Sequence, residues 1–217
     1  THNTELAVRF GRKVRDLKDS EEYGHIFPKT DLKADSKAAG RWETSVGGEY
    51  FAAGVGAAVT GRGADLFIID DPHSEQDALS EGRLEEAFEW YTSGPRQRLQ
   101  PGGSIIVVMT RWGLRDLTGR LIKAQASDVL ADQWEVVEFP AILPNNKALW
   151  PEFWKLDDLL RENGRHNGNK CQQQRKEPLL RRIGGKFGRK KRFQSLITLF
   201  NRMIRHLVRK KLPIIVQ

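Results

Sequence analysis

The chain has 217 residues, 39% of them hydrophobic, with 36 Lys and Arg against 28 Asp and Glu for a formal charge of +8. That hydrophobic share excludes a wholly disordered chain, and no apolar run approaches the ~18–20 residues a membrane span needs. Cys171 is the single cysteine, which excludes an intramolecular disulfide and a cysteine-built zinc site.

The opening residues THNTELAVRFGRK carry neither an initiator Met nor a charged start followed by an apolar stretch. No signal peptide is expected, and the chain reads as an intracellular fragment. Charge is unevenly spread: residues 161–217 hold 17 Lys and Arg and only Glu162 and Glu177, a net +15, leaving −7 on residues 1–160. Clustered Lys and Arg displace counterions from phosphates, so the basic tail is a candidate for nucleic-acid binding or simply a solvated segment.

In chain order, Leu6, Phe10, Val14 and Leu17 recur at helical spacing and predict an amphipathic helix from Thr4 to Lys18. Gly24 to Gly40 is polar and turn-rich, as in a surface loop. Residues 43–46 and 50–54 flank Gly47-Gly48 and predict a hairpin. The glycine-rich turn Gly61-Arg62-Gly63 leads into Leu66–Ile69, a short, β-branched run that reads as a buried parallel strand. Glu81 to Tyr91 predicts a helix, Ser104–Met109 a second buried strand, Leu114 to Ala124 a helix, and Trp134–Phe139 a third strand. A short helix is expected at Leu156–Leu160, and Phe193–Leu212 has the spacing of an amphipathic helix. Strands alternating with helices imply an α/β fold with a mostly parallel sheet.

The chemistry-bearing residues cluster at predicted strand ends. Leu66–Ile69 runs into Asp70-Asp71-Pro72, and ligands of parallel sheets bind outside the carboxyl ends of the strands. Two carboxylates there can hold Mg²⁺ and orient a water against a phosphate. The alternative is a cap pair for a following helix, with Pro72 at its start. The second strand ends in Thr110-Arg111-Trp112, whose hydroxyl and guanidinium can contact a phosphate; a plain turn, with Trp112 in the core, is the alternative. His73, alone after Pro72, reads as a surface loop residue.

The segments GRGADLFIIDDPHSEQDA (61–78), PGGSIIVVMTRWGLRDLTGRL (101–121) and ALWPEFWKLDDLL (148–160) closely resemble the large terminase subunit of tailed bacteriophages. THNTELAVRFGRKVRDL and GGEYFAAGVGAAVTGRGAD resemble the same family, so the likeness spans nearly all of residues 1–160. It implies the ATPase part of a DNA-packaging motor with a P-loop NTPase fold. By this resemblance Leu66–Asp71 is the Walker B strand, with Asp70 the Mg²⁺ ligand. Asp71 stands at the catalytic carboxylate, a position usually held by Glu and so one methylene shorter here, and is a possible second metal ligand. Thr110, Arg111 and Trp112 match the motif coupling hydrolysis to movement, with γ-phosphate sensing by Thr110 and Arg111. Arg62 would contact phosphate or DNA. The implied cofactors are Mg²⁺ and ATP; the implied partners are double-stranded DNA, the small terminase subunit and the portal protein, in the bacterial host cytoplasm and with no membrane.

Two departures shape the expectation. No G-x-x-x-x-G-K-[ST] occurs; Gly184-Gly185-Lys186-Phe187 lacks both spacing and hydroxyl. The loop that supplies backbone N–H groups and a Lys to the phosphates is therefore missing, and no ATPase activity is expected from this chain alone. The resemblance also stops near Leu160, where the family continues into an RNase H-like nuclease. Gln173–Pro178 can be encoded so that a shifted frame reads Ala-Ala-Glu-Gly-Thr, and extending this exercise restores family-like sequence. The expected organisation is a partial ATPase core over 1–125, its end and linker over 126–160, and an out-of-frame, basic, poorly packed tail over 161–217. A non-catalytic basic DNA-binding protein is the competing reading.

Overall fold

Asn3 starts the first helix: its side-chain oxygen accepts from the Glu5 and Leu6 amides at 2.8 and 3.1 Å, satisfying donors that have no partner within the first turn. The computed structural model describes residues 1–59, 61–166 and 214–216, in two units, Thr1–Gly61 and Arg62–Gln217.

In the first unit, α1 spans Thr4–Lys18, as expected. Its apolar stripe is not its packed face, because Phe10, Val14 and Leu17 are exposed while Ala7 and Gly11 are buried. A Cβ at Gly11 would lie 2.6 Å from the Ala39 carbonyl oxygen, so the helix approaches the neighbouring strands through its smallest side chains. After α2 (Glu21–Ile26), strands β1 (Leu32–Ala38), β2 (Arg41–Thr44) and β3 (Glu49–Phe51) form an antiparallel sheet in that order. The hairpin around Gly47-Gly48 is present, and its cross-strand pair Trp42 and Tyr50 stacks at 4.9 Å. The expected loop over Gly24–Gly40 instead contains the end of α2 and all of β1. β1 reads LKADSKA, with only Leu32 buried, so it lacks the apolar alternation that marks a strand; pairing with β2 and a 3.2 Å Lys33–Glu43 ion pair hold it.

In the second unit, β4 (Ala64–Asp70), α3 (Glu81–Ser93), α4 (Pro95–Arg98), β5 (Leu99–Val108), α5 (Leu117–Ser127), β6 (Glu135–Val137), α6 (Leu156–His166) and β7 (Ile214–Val216) follow in turn. The sheet is parallel throughout, in the order β4-β5-β7-β6. The α/β reading holds here. One face carries Ile69, Ile105, Val107 and Met109 into a core with Tyr91, Leu117, Leu121 and Trp134. The Arg120 guanidinium stacks over Phe88 at 4.1 Å and pairs with Glu85, tying α5 to α3.

Three expectations change in this unit. Leu66–Ile69 is not a fully buried strand: among the described residues β4 is a sheet edge, and Leu66 and Ile68 remain 44% and 57% exposed. The helix after β5 starts at Leu117 rather than Leu114, because Asp116 is its N-cap. Within the tail expected to be poorly packed, Ile214–Val216 is a strand paired in the sheet. The helix expected over Phe193–Leu212 and the Gly184-Gly185-Lys186 stretch lie outside the described residues. Among the described residues, no helix is long and apolar enough to cross a membrane.

Candidate functional site

The parallel register places Asp70 opposite Val108, so β4 and β5 end side by side. The Asp71 amide donates to the Val108 carbonyl at 2.8 Å, extending the ladder one residue past the strand. Asp71 then turns the chain with φ of 42°, a conformation uncommon outside glycine that Asp and Asn tolerate better than most. Its Oδ1 accepts from the Thr110 amide at 3.4 Å. The two carboxylates and the Thr110-Arg111 turn, separated by about forty residues of sequence, therefore share one sheet end.

The helix-cap alternative for the acidic pair does not hold. The next α-helix begins only at Glu81, and Ser80 caps it. Pro72 and His73 are buried, and between them and α3 the Ser74 amide and hydroxyl both donate to Asp77 Oδ2, at 2.9 and 2.7 Å. Burial acts to raise the Asp77 pKa, but the two Ser74 hydrogen bonds, together with the smaller effects of the His73 and Arg83 charges, hold the carboxyl below its ordinary value.

His73 is a correction. It is 2% exposed, not a surface residue, and its Nε2 accepts from the Leu117 amide at 3.0 Å. That bond requires the tautomer protonated at Nδ1, and it fixes the turn after β4 to the first turn of α5.

Thr110 is 3% exposed, and its hydroxyl has no hydrogen-bond partner among the described residues. Arg111 is folded back on its own turn. Its terminal nitrogen donates to the Gly113 carbonyl at 2.9 Å, and its Nε lies 3.3 Å from Asp116 Oδ2 as an ion pair not aligned for a hydrogen bond. Asp116, fully buried, organises this turn. Oδ2 accepts from the Trp112 and Gly113 amides at 2.7 and 3.0 Å, while Oδ1 accepts from the Gly119 amide and the Thr118 hydroxyl at 2.7 and 3.1 Å. Gly119 permits the close approach, because a Cβ there would lie 2.5 Å from the Leu114 carbonyl oxygen and 3.0 Å from the Arg111 guanidinium.

Asp70, Asp71, Thr110 and Arg111 are thus brought to one region, and Trp112 packs against the core, as the turn alternative expects. Arg62 is not brought there. It precedes the N-terminal end of β4, and the strand's rise puts it roughly 20 Å from the acidic end.

Among the described residues, no three or more His, Cys, Asp and Glu side chains group as a metal cage. Mg²⁺ does not need one, because it keeps most of its waters and is held by one or two carboxylates together with phosphate oxygens. The adjacent carboxylates of Asp70 and Asp71, at the end of β4, are hard oxygen donors of the type that ion takes. Comparison of the chain with known protein families, curated proteins and solved structures finds no match.

Proposed function

We propose that residues 1–160 are the ATPase portion of a phage terminase large subunit, the motor that drives double-stranded DNA into a prohead with the small terminase subunit and the portal as partners. The observation that carries this reading is the junction of Asp70-Asp71 with Thr110-Arg111 at adjacent parallel strand ends, joined by the Asp71–Thr110 hydrogen bond. A P-loop NTPase places its acidic metal ligand and its phosphate-sensing turn in the same relation.

In this reading Asp70 holds Mg²⁺, which when bound offsets charge on the phosphate oxygens. Asp71 aims its carboxylate from a turn fixed by the Val108 carbonyl and the Thr110 amide, and orients the attacking water. Thr110 offers its hydroxyl from a buried position, and Arg111 reaches a phosphate only after leaving Asp116 and Gly113. The chain contains no G-x-x-x-x-G-K-[ST], so phosphate release by the purified chain is expected to stay at background in a malachite-green assay.

The decisive experiment is to sequence the encoding DNA from well upstream of Thr1 to beyond Gln217. An upstream in-frame P-loop, with a nuclease resuming in another frame near Arg161, supports the motor. A tail in frame with no nuclease beyond it overturns the frameshift reading. A second reading, a non-catalytic basic DNA-binding protein, rests on the +15 charge of residues 161–217. It requires duplex DNA affinity that falls steeply with salt and survives Asp70→Asn.

A further inference from the structure

The first unit neutralises many of its cations internally. Arg15, Lys33, Lys37 and Arg41 each pair with a carboxylate of the same unit, and the Lys18 ammonium donates to the Thr30 carbonyl. Arg9, Arg12 and Lys13, all on α1, differ. They are exposed, and among the described residues they have no hydrogen-bond or ion-pair partner.

These cations border the apolar stripe of the same helix. Leu6, Phe10, Val14 and Leu17 fall on one side of α1 at 3.6 residues per turn. Leu6 is half-buried and the other three are exposed. One flank of the stripe is closed by Ala7 and Gly11, the packed side of the helix. The other flank is formed by Arg9 and Lys13, one turn apart, with Arg12 beyond them. The stripe is therefore one helix seam wide and roughly 16 Å long, with positive charge along one edge only.

Anchors one helical turn apart are the pattern by which helices pair, and charges flanking such a seam select the partner. Glu5 and Asp16 lie on the same open side of α1 as Arg9 and Arg12. An anionic bilayer or a DNA backbone would bring negative charge to all four groups. A helix can instead set carboxylates against Arg9 and Lys13 and leave Glu5 and Asp16 in water. We infer that the open side of α1 docks an amphipathic helix of another polypeptide. That helix carries apolar residues along its seam and a row of Asp or Glu on the flank that meets Arg9 and Lys13. A second copy of α1 offers cations in place of that acidic row. The inference is independent of the ATPase reading, since it uses only residues of the first unit.

The test uses labelled helical peptides with leucines at i, i+4, i+7 and i+11 and one flank of either glutamates or lysines. Each is titrated by fluorescence anisotropy against the full chain. The glutamate peptide is expected to bind, and to bind at least about tenfold more weakly to Leu17→Asn and to the double variant Arg9→Glu, Lys13→Glu. The Leu17 side chain is 63% exposed, so its replacement leaves the packing of α1 intact. The lysine peptide is expected to bind the double variant at least about tenfold more tightly than the unaltered chain, and no gain would overturn the inference. Circular dichroism checks the fold of each variant; should Leu17→Asn fail to fold, the charge reversal decides. Affinity for the glutamate peptide that neither variant changes would place binding elsewhere, such as the basic residues 161–217, and overturn the inference. No binding would do the same, as would equal binding of a glutamate peptide with serines in place of its leucines. Vesicles of equal phosphatidylserine and phosphatidylcholine, and a DNA duplex, are titrated in parallel. If the variants weaken either of these and not the glutamate peptide, the acidic helix is overturned. If the chain dimerises by light scattering and Leu17→Asn abolishes the dimer, the occupant is a second copy and the inference fails.

Discussion

Asp71 accepts a hydrogen bond from the Thr110 amide at 3.4 Å, so the turn ending β4 is held by the turn ending β5. The bond needs an oxygen, not a charge, which separates architecture from chemistry. Asp71→Asn keeps the acceptor and should cost under about 1 kcal/mol in urea unfolding; Asp71→Ala loses it and should cost about 1–2 kcal/mol. Both should weaken Mn²⁺ binding followed by electron paramagnetic resonance. Equal unfolding costs for the two variants would remove the structural role of the bond.

Asp116 is the second test of how the site is built. Its carboxylate accepts four hydrogen bonds and pairs with Arg111 while fully buried. Asp116→Ala leaves four donors and a guanidinium without it, a loss of about 3–5 kcal/mol by the usual cost of breaking a buried ion pair. Arg111→Met should cost much less, because the carboxylate keeps its four donors. Denaturant midpoints for the two variants check the order, and a reversed order would make the ion pair the main contribution.

How much of this was legible in the sequence divides along physical lines. Leu66–Ile69 and Ser104–Met109 announce strands through short runs rich in Ile and Val, and Asp70-Asp71 and Thr110-Arg111 follow at their ends, so both halves of the candidate site are readable. Asp116 is hidden in the sequence because a helix beginning at Leu114 makes a cap look like an interior residue; an Asp just before an apolar periodic stretch is the available signal. His73 had no local signal, since its partner is the Leu117 amide, 44 positions away. β1 was missed because an edge strand with one buried residue has a polar sequence. The exposure of Leu66 and Ile68 is a property of strand order, which a single strand's composition does not carry.

The Ser74–Asp77 turn gives a pH dependence of stability. Its two hydrogen bonds, with the nearby charges of His73 and Arg83 and against burial, lower the folded-state pKa of Asp77 below the unfolded value. A depressed carboxylate stabilises the fold above the unfolded pKa, and that contribution is lost as pH falls through the folded one. Melting temperature should therefore fall on acidification below about pH 4, and the slope should be shallower in Asp77→Asn. Identical slopes in the two proteins would show that Asp77 does not contribute to the acid loss.

Ile68 exposes more than half its surface on an edge strand that is seven residues long and free of proline. Such an edge offers both backbone groups and apolar side chains to another chain, and Asp65 and Asp70 near its ends are its only charges. Ile68 alternates away from the core that holds Phe67 and Ile69, so a lysine at 68 would meet solvent rather than the core. Ile68→Lys should change stability by no more than about 0.5 kcal/mol, the usual range for surface positions. It should also raise the onset temperature of aggregation followed by light scattering, with charge blocking the edge. Ile69→Lys, one residue along, buries the same ammonium in the core and should prevent folding. If Ile68→Lys unfolds the chain as Ile69→Lys does, then that face of β4 is packed rather than open.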